Sequence, residues 1–145
     1  MTDDILVEWN EKYSVGIDLI DTQHKKLIEL TNTLYKGCLT GEAEARRYFQ
    51  ETIQATVDYV KYHFAAEEKL MAHFKYPDLI NHKGQHTGFI LKILEDVKSF
   101  QSGRKFVPNA FVRYLKDWIL SHIAVMDQKY ADYILNLNNP PYTTE

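Results

Sequence analysis

The sequence has few of the residues that interrupt helices and almost no cysteine. Its 145 residues include six glycines, four prolines and one cysteine, Cys38. A single cysteine cannot form an internal disulfide, so nothing in the sequence requires an oxidising compartment. The glycines and prolines fall at a few places instead of recurring every eight to twelve residues. This pattern favours long helices over short strands joined by turns.

Long apolar runs and a surplus of one charge are also missing. No stretch approaches the roughly 20 apolar residues that span a bilayer, and residues 1–13 lack the basic and apolar regions of a signal peptide. Seventeen basic and twenty acidic residues give a net charge of −3, which argues against nucleic-acid and membrane-surface binding because both usually need a basic patch. We therefore expect a soluble cytoplasmic protein with one domain over residues 1–145.

The first part of the chain predicts an arm followed by a helix. Residues 1–20 form the expected N-terminal arm, in which Gly16 interrupts any helical pattern. Asp21 is the expected N-cap of the first helix, because an aspartate accepts hydrogen bonds from the free backbone N–H groups there. Apolar residues then repeat at intervals of three and four, and the helix is expected to end between Gly37 and Gly41.

Three further helices follow from the same apolar spacing. They are predicted over residues 42–74, 77–101 and 108–136. Each has one apolar face, which must pack against a neighbouring helix. Four amphipathic helices with short connections predict an all-α fold, an up-down-up-down four-helix bundle over residues 21–136.

The histidines carry the chemical signal. A lone histidine on such a helix is usually exposed or part of the core, but five of the six lie on the apolar side of their helices, and two acidic residues accompany them. The pairs His63–Glu67 and His82–His86 are spaced i,i+4, so both members leave one helix face about one turn apart. The seven candidate metal ligands are His24, His63, Glu67, His82, His86, His122 and Asp127.

One ligand spacing does not fit a regular helix. Asp127 follows His122 by five residues, a rotation of about 500° that turns the two side chains apart. Either the Asp127 side chain reaches across, or the helix contains a π-bulge between the two residues, a distortion common at functional sites.

The number of ligands favours two metal ions over one. Five imidazoles and two carboxylates exceed the roughly six donors of one octahedral ion. Two such ions are nearly filled if both carboxylates and one solvent oxygen bridge them, which leaves one open position. An open position distinguishes a reactive or ligand-binding metal from a structural one.

The type of ligand favours iron. Imidazole and carboxylate suit iron, copper, zinc or nickel, and two six-coordinate, oxygen-bridged ions favour iron over four-coordinate zinc. Di-iron enzymes built in helical bundles use mostly glutamate. A set rich in nitrogen carries less negative charge and stabilises highly oxidised iron less well, which favours binding of dioxygen over its activation.

Five motifs give the chain a specific resemblance over nearly its full length. They are W-N-E-K-Y-S-V-G-I at residues 9–17, I-D-T-Q-H ending at His24, H-F-A-A-E at 63–67, H-K-G-Q-H at 82–86 and H-I-A-V-M-D at 122–127. In these motifs the chain resembles the hemerythrin family, and within it the stand-alone bacteriohemerythrins. All seven ligand positions of the family carry the expected residue type.

The resemblance implies how the ligands are divided. One iron would be held by three imidazoles, and the other by two imidazoles beside the open position where dioxygen binds. The first set comprises His82, His86 and His122, the second comprises His24 and His63, and Glu67 and Asp127 bridge the two irons.

The resemblance also implies an apolar oxygen pocket, which must exclude water to preserve the bound oxygen. Its expected lining residues are Leu27, Phe64, Trp118, Ile119 and Ile123. The sixth histidine, His73, is interpreted as an exposed residue near the end of the second helix. Most of the ten tyrosines are interpreted as core or surface residues, with Tyr59 and Tyr62 as candidates for contact with the ligands.

The expected function is reversible dioxygen binding for storage, transport or delivery, without catalysis and with no protein recipient specified. An oxygen or redox sensor acting through a partner protein is one alternative, and an exposed apolar patch would be its signature. A di-iron oxidase is another, but it needs an acid or base beside the open position, where the expected lining is apolar. Iron storage is disfavoured because one closed site holds only two ions.

Overall fold

A computed structural model describes residues 5–104 and 107–137, and it confirms the predicted four-helix bundle. Within these residues all regular structure is helical, and no helix is long and apolar enough to cross a membrane. The helices are α1 (Asp18–Gly37), α2 (Glu42–His73), α3 (Leu79–Gln101), α4 (Pro108–His122) and α5 (Gln128–Leu135), with a π-helical turn at Ile123–Asp127 that joins α4 to α5. Short 3-10 turns occupy Glu11–Tyr13 and Cys38–Thr40.

The apolar faces of the helices meet in a continuous core. Phe49 on α2 contacts Phe100 on α3 and Phe111 on α4 edge to face, with ring centroids 4.8 and 5.3 Å apart. Edge-to-face contact is a favoured arrangement of aromatic rings. This aromatic cluster fixes three of the helices against one another away from the histidines.

The predicted start of the first helix is wrong by one turn. The chain turns at Gly16, where φ is +84°, so Ile17 is the extended residue before the helix and α1 begins at Asp18. Asp21 therefore lies inside the helix and does not cap it. Its carboxylate instead accepts hydrogen bonds from the Ser14 hydroxyl and the Val15 N–H, the latter at 2.8 Å, and so fastens the arm to α1.

The other helix ends lie close to their predicted positions. Helix α2 ends at His73, and Lys75 then adopts a positive φ of 56°. Helix α3 begins at Leu79 instead of Pro77, because Pro77 and Asp78 form the turn; the carbonyl of Asp78 accepts the hydrogen bond from the N–H of His82 at 3.0 Å. The α4–α5 rod begins at Pro108, as predicted, and ends at Leu135, one residue before its predicted end.

The irregular spacing between His122 and Asp127 has its explanation in the π-helical turn at Ile123–Asp127. A π turn contains one more residue than an α turn. The extra residue brings Asp127 back to the side of His122, and the Asp127 Oδ1 atom lies 3.1 Å from the His122 Nε2 atom. Of the two explanations considered from the sequence, the bulge is the one observed.

Helices α1 and α2 approach closely at Gly37, where a Cβ atom would lie 2.0 Å from a ring carbon of Tyr48. We expect Gly37→Ala to destabilise the fold by about 1–3 kcal/mol, the usual cost of overpacking. Gly88→Ala is the control, because Gly88 on α3 has open space around it. Alanine there should stabilise by about 0.5–1 kcal/mol, and urea unfolding measures both. Equal effects of the two substitutions would contradict this close packing.

Candidate metal centre

All seven predicted ligands are buried and lie together inside the bundle. Their elements are α1 for His24, α2 for His63 and Glu67, α3 for His82 and His86, α4 for His122 and the π turn for Asp127. None of the seven is more than 6% exposed. Helices α1 to α4 and the π turn therefore all contribute to one enclosed polar cluster, although the residues are spread over about a hundred positions of the sequence.

Glu67 lies at the centre of the cluster. Its Oε1 atom is 3.3 Å from the Nε2 atoms of both His63 and His86, and its Oε2 atom is 3.5 Å from Nε2 of His24. The i,i+4 spacing of His63 and Glu67 on α2 directs both side chains inward together. One carboxylate thus faces imidazoles from three helices.

Asp127 has the same role on the other side. Its Oδ1 atom lies 3.1 Å from the Nε2 atoms of both His82 and His122, and its Oδ2 atom lies 3.0 Å from Nε2 of His24. The ion pairs that the described residues make with the two carboxylates all come from histidines.

The ligand atoms form two overlapping groups, each compact enough to surround one cation. One group contains three imidazoles, from His82, His86 and His122, and the other contains two, from His24 and His63; Glu67 and Asp127 belong to both. Carboxylates shared between two groups are positioned to bridge two ions. The two candidate positions differ by one imidazole.

The partnerless atoms of the cluster fit a metal pair. Nε2 of His24, Oε1 of Glu67 and both oxygens of Asp127 are buried, and although they lie within ion-pair distance of one another or of other ligand atoms, none of these contacts has the geometry of a hydrogen bond. In addition, Nε2 of His122 lies 3.1 Å from Nε2 of both His82 and His86. Buried polar atoms normally have partners, and converging lone pairs of nitrogen and oxygen are the donors that borderline metal ions accept.

The electrostatics of the cluster also favour a cation. Burial lowers the pKa of His24, but Asp127 and Glu67 outweigh it and raise that pKa to about 9. Burial raises the pKa of Glu67, as does Asp127, yet the surrounding histidines bring it down to about 2. The pKa of His63 falls to about 4, chiefly because of burial. The ionised carboxylates and the neutral His63 are in the protonation states that metal binding requires, whereas His24 holds a proton that a metal ion would displace.

Three residues outside the predicted set hydrogen-bond the ligands. The Tyr130 hydroxyl donates to Oε2 of Glu67 at 2.7 Å, Oε1 of Gln23 lies 2.6 Å from Nδ1 of His63, and Oε2 of Glu68 lies 2.9 Å from Nδ1 of His86. Burial, Glu67 and Asp127 raise the pKa of Tyr130 well above its usual range, so this phenol remains a donor.

The sequence interpretation missed all three, and its candidate tyrosines are not the ones involved. Tyr59 and Tyr62 contact each other at 5.5 Å between ring centroids, and Tyr62 is 60% exposed. The available signal was adjacency: Gln23 and Glu68 each neighbour a predicted ligand, and Tyr130 follows Asp127 by three residues, close to one helical turn.

The residues expected to line an oxygen pocket lie in the apolar core around the cluster. Phe64 stacks on His86 at 3.7 Å between ring centroids, and the half-buried Trp118 stacks on His122 at 4.4 Å. Leu27, Ile119 and Ile123 are buried in the same core as Phe64. His73 lies exposed in the last turn of α2, as predicted, and belongs to neither ligand group.

Tyr130 supplies a direct test of the cluster. In Tyr130→Phe, an oxygen of Glu67 loses its donor, and we expect metal affinity to fall about 10–100-fold, as is usual when a partner of a ligand is removed. Anaerobic Fe²⁺ titration measures the change. Tyr133→Phe is the control, because the Tyr133 hydroxyl donates to the backbone oxygen of Lys75, at 3.4 Å, and to none of the seven ligands. Unchanged affinity in Tyr130→Phe would show that this hydrogen bond does not support the site.

Comparison with known sequences gives consistent matches. The profile of the family described as "Hemerythrin HHE cation binding domain" matches residues 15–134. A bacteriohemerythrin of Stenotrophomonas maltophilia (strain R551-3) is 36% identical over 129 residues, which cover 89% of this chain and 82% of the relative. A bacteriohemerythrin of Clostridium acetobutylicum is 30% identical over 127 residues, covering 86% of this chain and 98% of the relative.

Solved structures agree with these sequence matches. The crystal structure of a wild-type hemerythrin superposes with a TM-score of 0.81 at 28% identity and covers 88% of this chain and 96% of its own. The structure of a variant of hemerythrin in which one leucine is replaced by alanine superposes with a TM-score of 0.82 over the same shares. With its bundle, its buried histidine–carboxylate cluster and these matches, the chain belongs to the hemerythrin family.

Proposed function

We propose that this protein binds dioxygen reversibly at a di-iron centre and thereby stores, transports or delivers oxygen. Hemerythrins are di-iron, oxygen-binding proteins, and this chain matches them over most of its length. The observation that carries the proposal is the pair of overlapping ligand groups, with three and two imidazoles and two shared carboxylates.

The ligand assignment is part of the proposal. Three imidazoles would hold one iron, two would hold the other, and both carboxylates would bridge. The residues assigned are His82, His86 and His122 for the first iron, His24 and His63 for the second, and Glu67 and Asp127 as bridges. A bound iron pair would supply two electrons and a coordination position for dioxygen, and the smaller imidazole set supports assigning that position to the iron held by His24 and His63.

The protein around the centre would keep water and acids away from it. Leu27, Ile119 and Ile123 are at most 5% exposed, and the rings of Phe64 and Trp118 cover His86 and His122. An apolar enclosure of this kind limits release and hydrolysis of a bound reactive species. We propose that these five residues form the oxygen pocket.

The apolar surroundings favour a binding protein over an oxidase. An oxidase would use an acid or base beside the open position, whereas Leu27, Ile119 and Ile123 carry no titratable group. The Tyr130 hydroxyl, which lies outside the ligand set, directs its proton to Glu67. We therefore propose dioxygen as the ligand and no catalytic turnover, and we also propose a cytoplasmic location.

Reversibility is tested by cycling oxygen over the protein. We expect the anaerobically reduced, iron-loaded protein to develop a visible charge-transfer band in air and to lose it under inert gas over repeated cycles. Absorption spectroscopy with controlled oxygen pressure measures this. Irreversible oxidation in the first cycle, without that band, would contradict the proposal and favour a sensor or an oxidase.

The position of the open site is tested by removing one imidazole from the smaller group. We expect His63→Ala to abolish the oxygen-dependent band while about one iron per chain is retained, because the group containing His82, His86 and His122 is intact. His73→Ala is the matched control, since His73 is exposed and outside both groups. Normal oxygenation of His63→Ala would overturn the assignment of the open iron.

A further inference from the structure

The outer nitrogens of the five ligand imidazoles have unequal partners. In His24, His82 and His122, Nδ1 has no hydrogen-bond partner among the described residues. In His63 it faces the neutral amide oxygen of Gln23, and in His86 it faces the carboxylate of Glu68. Nε2 of both His63 and His86 points toward Glu67 and the centre of the cluster. When Nε2 binds a metal it carries no proton, so the proton of each ring is on Nδ1 and is donated to the outer oxygen.

His86 is held on two sides by one face of α2. Phe64 lies flat against its ring, 3.7 Å between centroids with 1° between the planes, and Glu68 accepts its Nδ1 proton at 2.9 Å. Phe64 and Glu68 are spaced i,i+4, so they project from the same face of the helix. Together they fix both the plane of the imidazole and its rotation.

A carboxylate partner does more than orient the ring. A hydrogen bond to a charged acceptor is roughly twice as strong as one to a neutral acceptor, and it raises the basicity of the metal-binding nitrogen. A glutamine that accepts the Nδ1 proton of an imidazole, as Gln23 does for His63, orients the ring without adding charge. The three-imidazole group therefore receives an anionic partner through His86, while the two-imidazole group receives a neutral one through His63.

We propose that Glu68 is a positioning residue that makes the metal at the three-imidazole group the easier of the two to oxidise. This inference rests on the proposed di-iron function. A more basic imidazole and a nearby negative charge stabilise the ferric ion relative to the ferrous ion, so the first electron leaves from the side of His86. In a measurement at an electrode, the ferrous ion would lose one electron and the electrode would accept it.

The place of Glu68 makes it a suitable residue to vary. It is 25% exposed and lies with His86 in a groove of about 220 Å³ between α2 and α3, whose other lining residues include Lys61, Ile90 and Leu91. Glu68→Gln keeps the shape and the hydrogen-bond acceptor while removing the charge, and solvent reaches the side chain. The substitution should therefore leave the fold intact.

The first test measures the reduction potentials of the iron-loaded protein by anaerobic spectroelectrochemistry. We expect Glu68→Gln to raise the potential of the more easily oxidised iron by about 59 mV, a tenfold change in its ratio of oxidised to reduced forms. Gln23→Glu should lower the potential of the other iron. Glu95→Gln on α3, which removes an equal charge at an exposed position, should shift neither.

The second test uses a metal that has no redox chemistry. In the Zn²⁺-loaded protein, the Nδ1 proton of His86 should give a slowly exchanging downfield signal in ¹⁵N-edited NMR. The signal should move in Glu68→Gln, disappear in Glu68→Ala and stay unchanged in Glu95→Gln. We expect Glu68→Ala also to weaken Zn²⁺ binding at one of the two positions by about 10–100-fold.

The possible failures are distinct. In one outcome the parent protein binds two irons and oxygenates reversibly, but Glu68→Gln and Glu95→Gln have the same reduction potentials and the His86 proton signal does not move in Glu68→Gln. The proposed role of Glu68 is then wrong, and the proposed function stands. If the parent protein binds fewer than two irons, both proposals are overturned. Loss of folding in Glu68→Ala alone leaves Glu68→Gln to decide.

Discussion

The structure depends on two buried carboxylates, Glu67 and Asp127, whose ion-pair partners among the described residues are all histidines. Glu67 and Asp127 are at most 1% exposed, and a buried charge without compensation is costly. Imidazoles from helices α1 to α4 approach these two side chains, and several of the nitrogen and oxygen atoms in contact make no hydrogen bond. A pair of cations resolves this arrangement, because it replaces repulsion between lone pairs and between carboxylates with coordination. The bundle then serves as a rigid frame for that centre.

Regular helical geometry positions most of the ligands, and a local irregularity, the π turn, positions one of them. The i,i+4 pairs on α2 and α3 aim two side chains each at the centre, while the π turn adjusts Asp127 relative to His122. Around this set, Tyr130, Gln23 and Glu68 fix the orientation of a carboxylate and two imidazoles. Residues that do not themselves coordinate a metal thus set the orientation and charge of the ligands, which is common in metal sites.

The parts of this arrangement that repeat with the helical period could be predicted from the sequence. The repeating apolar residues predicted the four-helix bundle. The spacing of the histidines and acidic residues pointed to the seven residues that the structure brings together, and it also drew attention to the irregular spacing between His122 and Asp127. The start of α1 could not be predicted because it depends on Gly16 and on contacts of Asp21 with Ser14 and Val15. The hydrogen bond from Tyr130 to Glu67 joins residues 63 positions apart, and its one sequence signal was that Tyr130 lies about one helical turn after Asp127.

The central claim is that two metal ions share Glu67 and Asp127. Anomalous X-ray diffraction at the iron edge, from crystals of the anaerobically loaded protein, tests it most directly. The account predicts two iron peaks per chain, one beside His82, His86 and His122 and one beside His24 and His63, with both carboxylates in contact with both peaks. A single peak, or two peaks that do not share these carboxylates, would contradict it.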